Sequence, residues 1–369
     1  MRPQPIVAAL LLAGISILVA AYYLRAPSPT AQEVTFNMHA QSVLNGKPAM
    51  FFHTAGDQWL QPLPVYLNAA VRAVSPRATS GRIVSAIAGG VNVALVVLIV
   101  LLITDRIWIA IAAGAMLILT PTHLALSIRG TDAMLLSTLI LSWLYGVVHF
   151  LKFDSLRTLV VAVVMLGLAV SAHQSGPLTA AFLWLLTLVV AYRRNRIRLL
   201  TATAAFALMW VPAAAAFFLQ PATYPDTFGR WFVFAAHLRN PVDGVLAFIN
   251  PGTLGNRASM YWGFWDPSWL FFTSPDGPAP LLLIAAPLIA VAIVRWPTHG
   301  TRDAAALVIG SALIVPLAGA SFGVPHYIAD AAAVAPILAV LAGVGVNELV
   351  RLVVPDRPLE DDVAVTAIE

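Results

Sequence analysis

The sequence predicts an all-α polytopic membrane protein, and three observations lead there. Of its 369 residues, 60% are hydrophobic and only 10% charged, with a mean hydropathy of +0.84. A soluble surface on a chain of this length would need far more charge, so the solvent for most of it is lipid. The apolar residues are gathered into runs long enough to cross roughly 30 Å of hydrocarbon at about 1.5 Å per residue. Lys and Arg fall mainly between those runs and build no interleaved basic and aromatic patch, so the net charge of +4 reads as a topology signal and not as a nucleic-acid partner. The absence of cysteine excludes both a disulfide framework and a thiolate metal site.

The runs lie near 5–24, 83–103, 107–127, 132–152, 158–174, 177–192, 199–219, 279–296, 303–322 and 327–350, about ten transmembrane helices. The first follows Arg2 and precedes the small residues of "APSPTA", as a signal peptide would. Its apolar length, near twenty residues, favours an uncleaved span over a signal core of about 7–15. "KFDSLR" at 152–157 and "RRNRIR" at 193–198 mark cytoplasmic loops. Counting outward from them puts both termini in the cytoplasm and leaves two long extracytoplasmic segments, 25–82 and 220–278. The expected organisation is one membrane domain over 1–350 and a short acidic cytoplasmic tail over 351–369, the whole an integral, multi-pass protein of the inner cell membrane.

Neither long segment reads as a soluble domain; both read as interfacial structure. In "EVTFNMHAQSVL", Val34, Met38 and Val43 recur near helical spacing, and "PVYLNAAVRAV" repeats the pattern after prolines that suit the first turn of a helix. Two amphipathic interfacial helices are expected there. "MYWGFWDPSWLFF" at 260–272 concentrates the aromatic residues that settle at headgroup level. No fixed-period repeat, Walker A loop, GxGxxG, HExxH or GxSxG is present.

Ionisable groups in the span interiors are almost absent, although a transporter or proton relay would place them there at about 2.5–3.5 kcal/mol each. The polar groups collect at one interface: Glu33, His39, His53 and Asp57 in the first loop, Arg129 and Asp132 in "SIRGTDAMLL", His173 in "SAHQSGP", Arg257 and Asp266 in the second loop, and His326 and Asp330 in "GVPHYIAD". Each has a structural alternative. Asp132 at a helix start can cap free N–H groups, Glu33 can be a solvated helix-start acid, and His53 and His326 can be interfacial hydrogen-bonders. Arg129 at a lipid interface needs an anion, either Asp132 or a phosphate.

Several pieces in order resemble the GT-C membrane glycosyltransferases, in particular bacterial relatives of the protein mannosyltransferases and of the lipid A aminoarabinose transferase. They are an acid just past the first span, "VLNGKP" about a dozen residues later, and "QPLPVYL", where the family has H-x-P-L-x-x-Y-L. "SGRIVSAIAGG", "TPTHLALSIRGTDAMLL", "YWGFWDPSWLFF" and "VPHYIADAAAVAPILAVLAGVGV" follow, each similar to a family stretch. The resemblance runs over about 1–350. It implies an inverting transferase that takes sugar from a polyprenyl-phosphate donor and passes it to a lipid, glycan or protein acceptor on the extracytoplasmic face. Residue by residue, it places Glu33 on the acceptor nucleophile and Asp132, with Arg129, at the second acid position. His326 falls at the lipid-phosphate end. Beside these, His53, Asp57 and Arg257 are candidates for binding substrate or phosphate. The chain departs from the pattern where Gln32-Glu33 replaces Asp-Glu, where Gln61 replaces the His before Pro-Leu, and where Ile328 to Asp330 lack an arginine.

The chemistry this implies needs few groups. Phosphate leaves as a stable anion, so one carboxylate acting as base suffices where glycoside hydrolysis uses two. A partly dehydrated interface should raise the Glu33 pKa and make it a better base. Glu33, Asp132 and Asp57 could hold a divalent cation through oxygen, but their spacing demands neither a metal nor any other cofactor. A transporter, a flippase of lipid-linked sugars or an inactive scaffold is the alternative, with Gln32 its best support.

Overall fold

The computed structural model describes residues 3–23, 28–53, 59–76, 79–173, 175–192, 196–219, 251–272, 278–299, 302–321 and 331–353. It is almost entirely helical there. The only strands among the described residues are the two-residue pair β1 (Phe52–His53) and β2 (Trp59–Leu60), antiparallel with Phe52 opposite Leu60.

The first apolar run forms α1 (Pro3–Tyr23). Two short helices follow it, α2 (Ala31–Leu44) and α3 (Pro62–Val74). Next come α4 (Ser80–Thr104), α5 (Ile107–Leu119), α6 (Pro121–Ser127) and α7 (Ala133–Phe153). After them lie α8 (Leu156–Leu168) with a 3-10 turn at Ala169–Ser171, α9 (Gly176–Ala191) and α10 (Arg196–Leu219). The C-terminal part contains α11 (Pro251–Gly263), α12 (Pro267–Phe271), α13 (Ala285–His299), α14 (Arg302–Ser321) and α15 (Ala331–Val353).

Among the described residues, four helices are long and apolar enough to cross a membrane: Gln4–Tyr22, Ser80–Thr104, Ala133–Phe153 and Ala332–Val353. A fifth span results if α5 and α6, bent 66° apart, are taken together. The helices at 156–171, 176–191 and 285–297 are apolar but shorter than a straight crossing requires. Helix length therefore supports an integral membrane protein without establishing ten spans.

The four long helices divide into centre and rim. Ala332–Val353 has 83% of its most apolar stretch buried in protein, while Gln4–Tyr22 has 17%. α15 thus forms the axis, packed on α4, α5, α7, α13 and α14, and α1 leans on α4 with Leu10, Leu11 and Leu18 turned outward. The core is filled by large side chains such as Trp143, Phe150, Ile99 and Leu166, each almost wholly buried. Trp143 Nε1 donates to Thr187 Oγ1 at 3.1 Å, satisfying the indole inside the bundle.

The break between α5 and α6 has a local cause. Pro121 has no N–H and cannot continue the helix through its own nitrogen, so the chain turns at Thr120, whose hydroxyl donates back to Met116 O at 2.9 Å. The Thr122 hydroxyl lies 2.8 Å from the Ala279 carbonyl and 3.0 Å from that of Pro278, which ties α6 to the segment before α13. α6 then delivers the chain to Arg129–Asp132, at the foot of α7.

α2 buries a different face from the expected one. Glu33, Phe36 and Ala40 point inward, while Val34 and Met38 are exposed. The inward acid is compensated by a partner, so polarity does not keep it at the surface.

Candidate functional site

Glu33 sits at the first turn of α2 in a capping box. Thr30 Oγ1 accepts from the Glu33 N–H at 3.2 Å, and the Thr30 N–H donates to Glu33 Oε2 at 2.8 Å. The same carboxylate receives Arg82 of α4 in a two-pronged pair, Nε to Oε1 and Nη2 to Oε2, both 2.9 Å. The backbone N–H of Gly130 donates to Oε1 at 2.7 Å. Arg82 and Glu33 are 3% and 4% exposed. Gly130 packs closely here: a Cβ would come within 3.1–3.3 Å of Gly81 C, Arg82 N and Glu33 Cγ, so its neighbours would have to give by a few tenths of an ångström.

Four donors therefore saturate Glu33. Burial pushes its pKa up, but the hydrogen bonds from Arg82, Gly130 and Thr30 and the charge of Arg82 together outweigh burial and hold it below the ordinary carboxylate value of 4.5. This reverses the expected upward shift. A carboxylate in this state is a poor proton acceptor, and its geometry is that of a pin joining α2, α4 and the Gly130 turn.

The sign of the shift yields a pH prediction. Because the folded value is the lower one, the stabilisation is complete above about pH 4.5 and is lost as pH falls through the folded value. Thermal unfolding in detergent should be insensitive to this group near neutrality and should lose stability in acid. Glu33→Gln should flatten that acid limb; an unchanged limb would assign it to other groups.

Asp132 differs in every respect. It precedes α7 but its side chain makes no capping hydrogen bond. The expected capping role is absent, and the carboxylate turns elsewhere. Gln32 Nε2 lies 3.4 Å from its Oδ1 and His173 Nε2 lies 3.9 Å from its Oδ2. Ser85 Oγ donates to the Thr131 carbonyl at 3.2 Å and steadies the approach from α4. Two elements thus converge on the acid at the start of α7: the start of α2 and the turn before α9.

Arg129 is exposed, and its guanidinium makes no ion pair with Asp132. Of its two expected partners, Asp132 is ruled out by this geometry. His53 belongs to β1 and Arg257 to α11, but their side chains lie outside the described set. Asp57 and His326 also lie outside the described residues. Gln61, where the related motif has His, is buried with neither amide atom partnered. Among the described residues, no three His, Asp or Glu side chains gather as they would round an ion. Glu33 has both oxygens engaged by N–H donors, and Asp57, the third acid considered from sequence, lies outside the described residues.

His173 was not singled out from sequence as a site residue. The available signal was "HQSGP", a histidine held by a Ser-Gly-Pro helix start. Gly176 makes that turn possible, since a Cβ there would sit 1.8 Å from the Ala169 carbonyl oxygen. Gly176→Ala should cost about 1–3 kcal/mol through this backbone collision, read as a lowered unfolding temperature. An unchanged temperature would mean that the turn yields freely.

No protein-family model matches the sequence, and none of the curated proteins does. Solved structures do match by fold. ArnT from Cupriavidus metallidurans bound to undecaprenyl phosphate superposes with a TM-score of 0.60 at 14% identity, covering 91% of this chain and 59% of ArnT. The archaeal oligosaccharyltransferase AglB from Archaeoglobus fulgidus, in complex with an inhibitory peptide and a dolichol-phosphate, gives 0.54 at 15% identity, covering 95% of this chain and 52% of AglB. A second structure of the Archaeoglobus fulgidus oligosaccharyltransferase, in complex with Zn and sulfate, gives 0.56 at 16% identity, covering 93% of this chain and 49% of its own. The chain thus spans about half to three-fifths of the length of these proteins. With its helical bundle and these superpositions, the chain shares the fold of the membrane part of ArnT and of the archaeal oligosaccharyltransferase.

Proposed function

We propose that the protein transfers a sugar from a polyprenyl-phosphate donor to a hydroxyl acceptor at the extracytoplasmic face, with Asp132 as the base. The carrying observation is the contrast between the two acids. Glu33 is saturated by four donors, while Asp132 is uncapped, mostly buried and only loosely approached by neutral groups. The fold supports the donor class, since ArnT and AglB were solved with undecaprenyl phosphate and dolichol-phosphate.

In the transfer, Asp132 accepts the proton of the acceptor hydroxyl as its oxygen bonds to the anomeric carbon. The bond from that carbon to the phosphate oxygen breaks, and the phosphate leaves with the electron pair. A single displacement of this kind, with no glycosyl-enzyme, inverts the anomeric configuration. Exposed Arg129, three residues away, is the cation for the departing phosphate. An apolar cavity of about 300 Å³, lined by Trp265, Phe271, Ile289, Leu313 and Leu338, suits the isoprenoid tail. The extracytoplasmic face is supported by the course of α7, with Asp132 at its start and Lys152, where the basic loop expected to be cytoplasmic begins, at its end.

The test is sugar release from a panel of radiolabelled polyprenyl-phosphate sugars in proteoliposomes. Turnover that depends on Asp132 supports the transferase. The second reading, a non-catalytic scaffold or a carrier of lipid-linked sugars, rests on Gln32 standing where the related motif has an acid. It gains if no donor is turned over.

A further inference from the structure

His173 lies in the turn between Ala169–Ser171 and α9, and its ring is fixed along one edge. The backbone N–H of Ser175 donates to Nδ1 at 3.1 Å, and Ser175 Oγ lies 2.7 Å from the same nitrogen. A backbone N–H can only donate, so Nδ1 presents its lone pair to Ser175 and the neutral ring carries its proton on Nε2. Ser175 precedes α9 yet caps none of its N–H groups, leaving its hydroxyl to the ring. The crowded Gly176 fixes the same turn from the other side.

The protonated nitrogen faces Asp132. Nε2 is 3.9 Å from Oδ2, with the two side chains 12% and 13% exposed. That is longer than a hydrogen bond, and catalytic hydrogen bonds commonly tighten only once substrate is bound. On the other oxygen, the Gln32 amide approaches Oδ1 at 3.4 Å. Both neighbours are neutral donors. An arginine here would engage both carboxylate oxygens as Arg82 engages those of Glu33, whereas these two donors approach one oxygen each from the side and leave the remaining lone pairs open.

We infer that His173 is the positioning residue for Asp132. Locked by Ser175 as the Nε2–H tautomer, it hydrogen-bonds Oδ2 in the loaded site and, with Gln32 on Oδ1, turns the remaining lone pairs of Asp132 toward the acceptor hydroxyl. The inference rests on the proposed transfer reaction for its role, but not for its geometry. It also gives Gln32 a place in a working site, as the second donor to the acid.

The test has two arms. The first is ¹⁵N NMR of the full chain, labelled at histidine and held in lipid nanodiscs, with His173 identified by the signals missing in His173→Gln. A proton-bearing Nε2, an unprotonated Nδ1, and an Nε2 signal that moves in Asp132→Asn are expected. The opposite tautomer, or an Nε2 signal indifferent to Asp132→Asn, overturns the inference. The second arm uses the polyprenyl-phosphate sugar panel. His173→Phe should lower kcat roughly tenfold to a hundredfold with KM unchanged, as misaimed groups do, and His173→Gln, which restores an amide donor, should recover most of it. Equal losses in both variants, or a change in KM alone, overturn it. Absence of turnover in the unsubstituted protein counts against the transferase reading, while the spectra still decide the tautomer and its coupling to Asp132.

Discussion

Asp132→Asn should lower sugar turnover by a hundredfold or more while leaving the unfolding temperature close to that of the unsubstituted protein. A positioned proton acceptor contributes about 10²–10⁴ in rate. The substitution keeps the shape of the side chain and removes only its charge and basicity. Asp132 makes no capping bond and no close ion pair, so little stability is at stake. The separation of the two readouts is the test. Retention of more than half the turnover would mean that the base is elsewhere, and a large fall in unfolding temperature would mean that the acid has a structural task.

Arg82→Leu should have the opposite profile and the largest effect on stability. Deleting one partner of a buried ion pair leaves the other charge uncompensated, which typically costs about 3–5 kcal/mol. Here the abandoned group would be Glu33, 4% exposed and still bonded by Gly130 and Thr30. Combining Arg82→Leu with Glu33→Gln removes the stranded charge and should restore part of the loss, so a double-mutant cycle should report a coupling well above the scatter expected of independent sites. A change below about 1 kcal/mol in Arg82→Leu, the range of exposed pairs, would show that the pair is not what holds the first loop in place. Turnover of Glu33→Gln should fall only as far as the loop loosens, in contrast to Asp132→Asn.

The fold was legible because lipid imposes long apolar stretches that composition reveals directly, and the observed helices lie close to the expected runs. Span count was less legible, since the bend at Pro121 and the short helices at 156–171 and 176–191 depend on packing that a hydropathy window does not contain. The site was legible as a set of residues at one interface but not as roles. Glu33 looked like a free acid because its partner lies 49 positions away on another helix. Asp132 looked like a cap because it starts a helix, and only its orientation shows otherwise. His173 was easily passed over, because a lone histidine in a short connection says nothing about which of its nitrogens is engaged.

The bonds of Glu33 also order events during synthesis. Its partners are Arg82, 49 residues on, and the Gly130 N–H, 97 residues on. At a ribosomal rate of roughly 5–20 residues per second, the last partner is made about 5–20 s after Glu33 itself. Until Arg82 is made, α2 has only its capping box to hold its first turn, and the acid must wait in a wet environment. The first loop can be sealed only after the segment leading into α7 has emerged, so the reactive corner is assembled from the far end of the nascent chain backward, and an arrest between Arg82 and Gly130 would leave it open.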